Sequence, residues 1–383
     1  MICAEYDLYP IHEKYLFMNR RQFIQASTIL ASDLIMQPLS AAKVPSKATE
    51  RWFMPEESEP HLRTWMAFGA NAQIWGKALL PKVQQDLALL AKTIAQYEPV
   101  SMLVNQKDYH LAQKLVGPTV KLINCPLDDL WIRDTGPVFV LTEQGKKSAI
   151  NFNFNGWGKK QTFLHDAKVA HFVVQQAHVT SIKTNLILEG GAIEVDGYGT
   201  AIITESCIIN KNRNAHLTKT QIETELKTLL GLEKIIWLPG IKGKDITDGH
   251  TDFYARFIKP GVVVVGFESD PASFDHAVTQ KHLQILRSST DARGKKLEIV
   301  VIKAPQAIRN QYVTNDFAAE YINFYVCNGA VIAPEFGDKY ADAAAKSQLK
   351  QLFPNRDIVQ LNIDGIAAGG GGIHCATQQE PRV

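Results

Sequence analysis

Apolar and polar positions follow a repeated order along most of this chain. Four stretches each place two β-rich runs around a turn, and they predict β-hairpins that begin near residues 137, 192, 252 and 321. Five stretches place apolar residues at helical spacing and predict helices over 79–97, 165–179, 218–231, 274–289 and 339–353. Short apolar runs predict a strand after four of these helices, at 99–104, 234–238, 297–302 and 357–361.

The recurring unit is therefore a hairpin, a helix and a strand, with a period of roughly 55–70 residues. A unit of this kind does not bury its own apolar face, so neighbouring units stack on one another. A closed ring of about five units leaves no exposed end. The pattern predicts an α/β fold arranged as a ring, with a single domain over residues 43–383.

Composition narrows the possible partners. The 383-residue chain is 45% hydrophobic and 21% charged, which is typical of a globular protein. The formal net charge is +2 and no basic block is present. The electrostatic pattern of a nucleic-acid-binding protein is therefore missing.

The first 42 residues are predicted to be an N-terminal extension and an export signal. Arg20 and Arg21 precede an apolar stretch, and Ser40-Ala41-Ala42 offers a cleavage site after Ala42, which is the order of a twin-arginine signal. The stretch is short and contains Asp33, which disfavours a membrane anchor. We expect an exported, periplasmic or secreted protein whose translation starts at Met1 or at Met18.

Four polar clusters precede strands at equivalent places in the repeat. They contain Asp134, Glu189, His250 with Asp252, and Cys375 behind a run of glycines. Taken singly, each has a simpler explanation: a solvated loop charge, a backbone cap, a surface turn or an inert thiol. Their recurrence favours one shared site on the axis of the ring.

The other cysteines carry little chemical information. No Cys-x-x-Cys pair is present, so zinc ribbons and redox motifs are not expected. Cys207 and Cys327 lie in predicted apolar strands, where we expect buried, inert thiols. Cys3 would be lost with the export signal, and the sequence assigns no disulfide.

The predicted site combines a thiol, a histidine and carboxylates, which favours covalent catalysis by the thiol. No His-Glu-x-x-His motif and no tight Cys/His set is present, so a metal hydrolase is a weaker alternative. Carboxylates near a thiol disfavour the thiolate. Such a site suits a cationic substrate, and a planar guanidinium pairs well with carboxylates.

Several long segments resemble a known family. They are WIRDTGPVFV, LEGGAIEVDGYGT, TDGHTDFYARF, NFYVCNGAVIAPEFGD and GGGGIHCATQQEP. They are similar, in the same order, to agmatine deiminases and bacterial peptidyl-arginine deiminases of the guanidino-group-modifying superfamily. The resemblance runs from about Arg51 to Pro381 and implies a five-bladed α/β propeller, the pentein fold.

The resemblance also implies roles for individual residues. Cys375 would be the nucleophile, and His250 the general acid and base, oriented by Glu189. Asp134 and Asp252 would bind the guanidinium, and Trp131 would stack on it. Gly371 and Gly372 would allow a close approach of the backbone to the substrate. No metal and no cofactor is implied.

Three positions depart from the usual pattern of the family. They are Phe68-Gly69, where Trp-Pro is usual, and Asp248 and Gly372, where asparagine is usual. We expect these positions at the rim of the pocket. The leading hypothesis is hydrolysis of agmatine to N-carbamoylputrescine and ammonia, a step in making putrescine. A peptidyl-arginine deiminase and an exported binding protein for guanidino compounds are the alternatives, and a homodimer is compatible with a flat ring.

Overall fold

The computed structural model describes residues 50–314 and 316–383, of which Glu50–Val383 form one compact unit. The arginine pair Arg20–Arg21 and the cleavage site after Ala42 lie outside the described residues, so the export signal stays a prediction. Within the described residues, no helix combines the length and the apolar character needed to cross a bilayer.

Strands make up the inner part of the fold, and most are short. In chain order the described strands are β1 (His61–Phe68), β2 (Val100–Val104), β3 (Val120–Asn124), β4 (Val138–Leu141), β5 (Lys147–Asn151), β6 (Thr180–Lys183), β7 (Ile193–Val195), β8 (Thr200–Thr204), β9 (Lys234–Leu238), β10 (Ala255–Lys259), β11 (Val262–Phe267), β12 (Glu298–Lys303), β13 (Tyr325–Cys327), β14 (Ala330–Pro334), β15 (Asp357–Leu361) and β16 (Gln378–Pro381).

Helices connect the strands. The described α-helices are α1 (Ala72–Ile94), α2 (Tyr109–Val116), α3 (Ile132–Thr135), α4 (Gly156–Lys159), α5 (Val169–Gln176), α6 (Glu205–Ile208), α7 (Lys211–Asn214), α8 (Lys219–Leu230), α9 (His276–Ser288), α10 (Lys339–Leu352) and α11 (Asp364–Ala367). Short 3-10 turns lie at Gln106–Asp108, Asp166–Lys168, Gly190–Ala192, Thr251–Phe253 and Asn310–Tyr312.

The strands form five sheets, which are the blades of a five-bladed α/β propeller. Four blades have three strands, in the orders β4-β5-β6, β7-β8-β9, β10-β11-β12 and β13-β14-β15. In each, the first pair is antiparallel and the second pair is parallel. A parallel pair needs a long crossover, and this is where the helix of the unit lies. The predicted order of hairpin, helix and strand is therefore confirmed.

The remaining blade joins the two ends of the described chain. Its order is β16-β1-β2-β3. Strand β16 is antiparallel to β1, and Trp65 pairs with Gln378. The last strand thus takes the place that the first hairpin strand has in the other blades. As predicted, the segment with Cys375 leads into the strand that closes the ring.

Neighbouring blades share their apolar cores. Ile202 of β8 belongs to the same buried cluster as Phe257 of β10 and Val263 of β11, which lie in the next blade. All three side chains are at most 2% exposed. A small blade does not bury both of its faces alone, so stacking against a neighbour stabilises it.

Helix α8 shows how local sequence sets the ends of an element. The Thr218 hydroxyl accepts a hydrogen bond from the Gln221 backbone, and Gln221 bonds back to the Thr218 backbone, which makes a capping box. Gly231 ends the helix at φ 68°, a left-handed conformation that suits glycine. Both ends of this helix were predictable from sequence, and the predicted range of 218–231 agrees with them.

Other elements differ from their predictions. Helix α1 begins at Ala72 rather than at 79, because Asn71 caps its first turn before a kink at Gly76. Strands β3 and β6 and helix α2 were not predicted. Cys207 lies in the short helix α6 and not in a strand, so that prediction was wrong, although its thiol is buried as expected. Cys125, Cys207, Cys327 and Cys375 are all free thiols.

Candidate active site

The predicted site residues meet at the axis of the propeller, and each lies just before the first strand of a blade. Asp134 precedes β4 and Glu189 precedes β7. His250 and Asp252 precede β10, and Cys375 precedes β16. All five are at most 6% exposed. The rotational relation between the blades brings these residues together, although up to 241 positions of sequence separate them.

Cys375 is buried next to an apolar cluster, and two polar side chains contact its thiol. Its thiol lies 3.7 Å from Asp252 Oδ2. The side-chain amide of Asn323 donates to the sulfur across 3.5 Å. Burial, followed by the negative charges of Asp252 and Asp134, raises the pKa of the Cys375 thiol well above its ordinary value. The resting site therefore holds a protonated thiol, and a cation beside the two carboxylates would favour the thiolate.

His250 is held by a chain of charged groups. Its Nε2 lies 3.2 Å from Glu189 Oε2, and Arg213 Nε donates to Glu189 Oε1 across 2.8 Å. Arg213 Nη1 in turn donates to Asp248 Oδ2 across 2.9 Å. Burial raises the pKa of Glu189, but Arg213 and His250 outweigh burial, so this pKa lies below its ordinary value. Glu189 therefore stays ionised and fixes the imidazole.

The protonation state of His250 suits a proton donor. Burial lowers the pKa of its imidazole, but Asp134, Glu189 and Asp252 together outweigh burial and raise the pKa to about 9. His250 is therefore an imidazolium at neutral pH. A leaving amine could take its proton, and the resulting neutral ring could then accept one from water.

Asp134 lies beside His250 in the same buried site. Its Oδ2 accepts from Trp157 Nε1 across 2.9 Å, and its Oδ1 accepts from Gly191 N across 3.2 Å. Burial and the neighbouring carboxylates Glu189 and Asp252 raise the pKa of Asp134 despite the opposing effect of His250. A cationic ligand would remove this repulsion.

Two buried polar atoms of the site have no hydrogen-bond partner. They are His250 Nδ1 and Asp252 Oδ1. His250 Nδ1 lies 3.7 Å from Asp134 Oδ1, which is too long for a hydrogen bond. Buried polar atoms without partners are rare and call for an explanation. A bound ligand with N–H donors would satisfy the free oxygen of Asp252.

Gly191 shows how closely these groups approach each other. A methyl group added to it would lie 2.7 Å from His250 Nδ1, 3.0 Å from Asp134 Oδ1 and 3.2 Å from Asp252 Oδ2. Any side chain at 191 would therefore displace the three groups.

A cavity of about 550 Å³ reaches His250 from the surface, which is within the usual range for small-ligand sites. Trp75, Leu79 and Trp131 form an apolar wall. An acidic wall of the same cavity contains Asp245, Glu268, Asp275 and Glu320, and Lys244 and Phe274 also line the cavity. Trp131 was predicted to be an aromatic residue of the pocket, and it lines this cavity. Its stacking on a cation stays a prediction.

The three departures from the family pattern do not lie at the rim of the pocket, so that expectation was wrong. Phe68 is a core residue at 1% exposure. Asp248 is buried and pairs with Arg213. Gly372 is also buried, and a methyl group there would lie 2.2 Å from Asn323 Oδ1. These positions support the interior and do not shape the entrance.

Gly371 and Gly372 allow close approach, but of other side chains. A methyl group at Gly371 would lie 2.2 Å from the ring of Trp131. The glycines thus let Trp131 and Asn323 pack against the chain just before Cys375. Their contact with a substrate stays a prediction.

Sequence reasoning missed several residues of the site. Asn323 lies just before β13, the first strand of its blade. It thus occupies the same place in this blade that the predicted polar clusters occupy in the other four. The equivalence of the repeats could have identified it. Arg213 and Trp157 carry no such signal, because a single arginine or tryptophan in a helix is usually a surface or core residue.

We expect His250 to make the protein less stable as the pH rises. Its pKa is raised from 6.5 to about 9, so its contribution is fully present below about pH 6.5 and is lost as the pH rises through about 9. The shift corresponds to at most about 3 kcal/mol of unfolding free energy. Urea denaturation of the wild type and of His250→Gln at about pH 6 and pH 10 would measure it. An equal change in both proteins would contradict the prediction.

Fold and site together define the class of protein: an α/β propeller enzyme of the pentein type with a buried thiol, a histidine and carboxylates on its axis. The family model of Porphyromonas-type peptidyl-arginine deiminases matches residues 53–381. This chain belongs to that family, which confirms the resemblance seen in the sequence motifs.

Similar proteins include the agmatine deiminases of Stutzerimonas stutzeri and Pseudomonas aeruginosa. Each is 35% identical over 86% of this chain and 95% of its own length. The solved structure of the agmatine deiminase of Enterococcus faecalis is 32% identical and superposes with a TM-score of 0.80, covering 86% of this chain and 96% of its own. The whole propeller is therefore shared with these proteins.

Proposed function

We propose that this protein hydrolyses agmatine to N-carbamoylputrescine and ammonia. The observation that carries the proposal is the cavity itself. It reaches His250, whose Nδ1 has no partner, and its lining includes carboxylates that form no salt bridge with any described residue. Relatives of this chain that are named agmatine deiminases support the same substrate.

The reaction follows from the positions of the side chains. Once the guanidinium is bound beside Asp134 and Asp252, the Cys375 thiol loses its proton to solvent. The thiolate then attacks the guanidinium carbon while the two carboxylates bind the flanking nitrogens. His250 donates its proton to one nitrogen, which leaves as ammonia when its bond to carbon breaks. The resulting thiouronium is attacked by water that His250 deprotonates. The carbon–sulfur bond then breaks, and the leaving sulfur takes the proton of the added hydroxyl, which releases the neutral ureido product and restores the thiol.

The acidic wall of the cavity favours a substrate with a second positive charge. Asp245, Glu268, Asp275 and Glu320 form no salt bridge with any described residue, whereas Glu189 in the deep site pairs with Arg213. Burial, followed by the charges of Asp275 and Glu268, raises the pKa of Glu320 well above its ordinary value. An ammonium group here would relieve this repulsion. Agmatine carries such a group at the end opposite to its guanidinium, and the carboxylate of free arginine would be repelled.

We expect agmatine to be a better substrate than free arginine or an arginine peptide, and Glu320→Gln to reduce this advantage. The substitution should raise KM for agmatine about 5- to 30-fold and leave kcat nearly unchanged, because the charge lost acts on the tail of the substrate. Colorimetric measurement of ureido product over a range of substrate concentrations gives both constants.

An alkylguanidine of the same length without the amine is the matched control. Its KM should be the same for the wild type and Glu320→Gln. A faster reaction with the arginine peptide than with agmatine would favour a peptidyl-arginine deiminase. Tight agmatine binding without turnover of any guanidino compound would favour a binding protein.

A further inference from the structure

His374 lies beside the nucleophile but takes no part in the reaction described above. Its Nδ1 lies 2.7 Å from Asp252 Oδ2, and its Nε2 lies 2.8 Å from Glu57 Oε2. The ring is 2% exposed. It therefore connects the carboxylate next to Cys375 with a second carboxylate farther from the cavity.

Both carboxylates stay ionised. Burial raises the pKa of Glu57, but Arg256, His374 and Arg133 outweigh it and hold that pKa well below its ordinary value. Burial also raises the pKa of Asp252, but the hydrogen bond and charge of His374 outweigh it and lower that pKa. An ionised carboxylate only accepts hydrogen bonds. Both ring nitrogens of His374 face carboxylate oxygens at hydrogen-bond distance, so both are placed to donate.

Glu57 is in turn held firmly. Its Oε1 accepts from Arg256 Nη2 across 2.9 Å and from Val326 N across 2.9 Å. Its Oε2 accepts from Arg133 Nη2 across 3.0 Å as well as from His374. These four bonds use the acceptor sites of the carboxylate. Glu57 therefore cannot turn without breaking several buried interactions.

The bond from His374 determines the orientation of Asp252. It occupies Oδ2, the oxygen that also lies 3.7 Å from the Cys375 thiol, and leaves Oδ1 without a partner in the site. We propose that His374, fixed by Glu57, positions Asp252 and offsets its charge beside the Cys375 thiol through the hydrogen bond that it donates to Oδ2. His374 and Glu57 are thus positioning residues, and neither reaches the reacting atoms.

The reactivity of the Cys375 thiol tests the proposal without any substrate. Iodoacetamide alkylates the thiolate, and mass spectrometry of the peptide containing Cys375 gives its rate at each pH. Without the hydrogen bond from His374, Oδ2 of Asp252 keeps a less compensated negative charge beside the thiol. We expect His374→Gln to move the alkylation profile up by at least about one pH unit, and Glu57→Gln to move it in the same direction by less.

Glu380→Gln is the matched control. Glu380 is a buried carboxylate at 1% exposure that pairs with Lys147, away from Asp252. This variant should lose stability without any change in the alkylation profile. If Glu57→Gln does not fold, His374→Gln alone decides the test. If the alkylation profile of His374→Gln superimposes on that of the wild type, the proposal is overturned and His374 only stabilises the fold.

The kinetic arm rests on the proposed function. We expect His374→Gln to lower kcat/KM for agmatine about 10- to 100-fold, as for the loss of a charge-assisted hydrogen bond, and to move the acid limb of its pH profile upward. If the wild type turns over no guanidino compound and the alkylation profile still shifts, the proposed function fails and the role of His374 stands.

Discussion

Replacing Cys375 with alanine is expected to lower the turnover of agmatine by at least about 10⁴-fold. The reason is that no other described nucleophile lies beside both Asp252 and Asp134. Steady-state assays of ureido product would measure the loss. Agmatine binding, followed by calorimetry, should persist because Asp134, Asp252 and the acidic wall of the cavity remain.

Cys327→Ala is the matched control for this change. Cys327 is a free thiol at 1% exposure in β13, and burial raises the pKa of its thiol. Its loss should leave a small cavity and lower the stability without affecting kcat. Substantial activity in Cys375→Ala would contradict a covalent mechanism. Loss of wild-type activity with a chelator, restored by a metal ion, would contradict a reaction that needs no cofactor.

Replacing His250 with glutamine is expected to lower kcat by about 10³-fold or more. Glutamine keeps a donor that can reach Glu189, but it cannot give a proton to the leaving nitrogen or take one from water. Because both halves of the reaction need these transfers, kcat should fall much more than substrate binding changes. Rapid-quench measurement of ammonia release would show whether the first half is already slow.

His61→Gln is the control for His250→Gln. His61 is another histidine at 2% exposure, and it lies 3.0 Å from the buried carboxylate of Glu98. It is not among the residues that line the cavity described above. This variant should be less stable than the wild type but should have an almost unchanged kcat. An equal loss of activity in both variants would show that losing any buried histidine–carboxylate pair, and not proton transfer by His250, explains the effect.

Much of the fold was predictable because it depends on local, repeated signals. The hairpin turns and the capped helix α8 follow from a few neighbouring residues each. What was missed either departs from the repeat or lacks a strong signal of its own. Strand β3 is an additional fourth strand of its blade, and β6 is mostly exposed and polar, with the sequence Thr-Ser-Ile-Lys.

The reactive residues of the candidate site could also be named from sequence. Asp134, Glu189, His250, Asp252 and Cys375 recur at equivalent places, and the long motifs around them assign their roles. The residues that hold them in place could not be named in this way. Glu57 and His374 are 317 positions apart, and no repeat relates them.

The sequence by itself determined the ring of repeated units and the family, and it named the candidate site residues, because each depends on a local pattern. Only the tertiary structure decided which groups meet, and therefore their charge states. It showed that Gly372 is buried and not at the rim of the pocket. The absence of a side chain there leaves room for Asn323 beside the thiol. It also placed His374 between the carboxylates of Asp252 and Glu57, which hold its ring in one orientation. Long-range contacts and burial set these properties, and neither can be read from neighbouring residues.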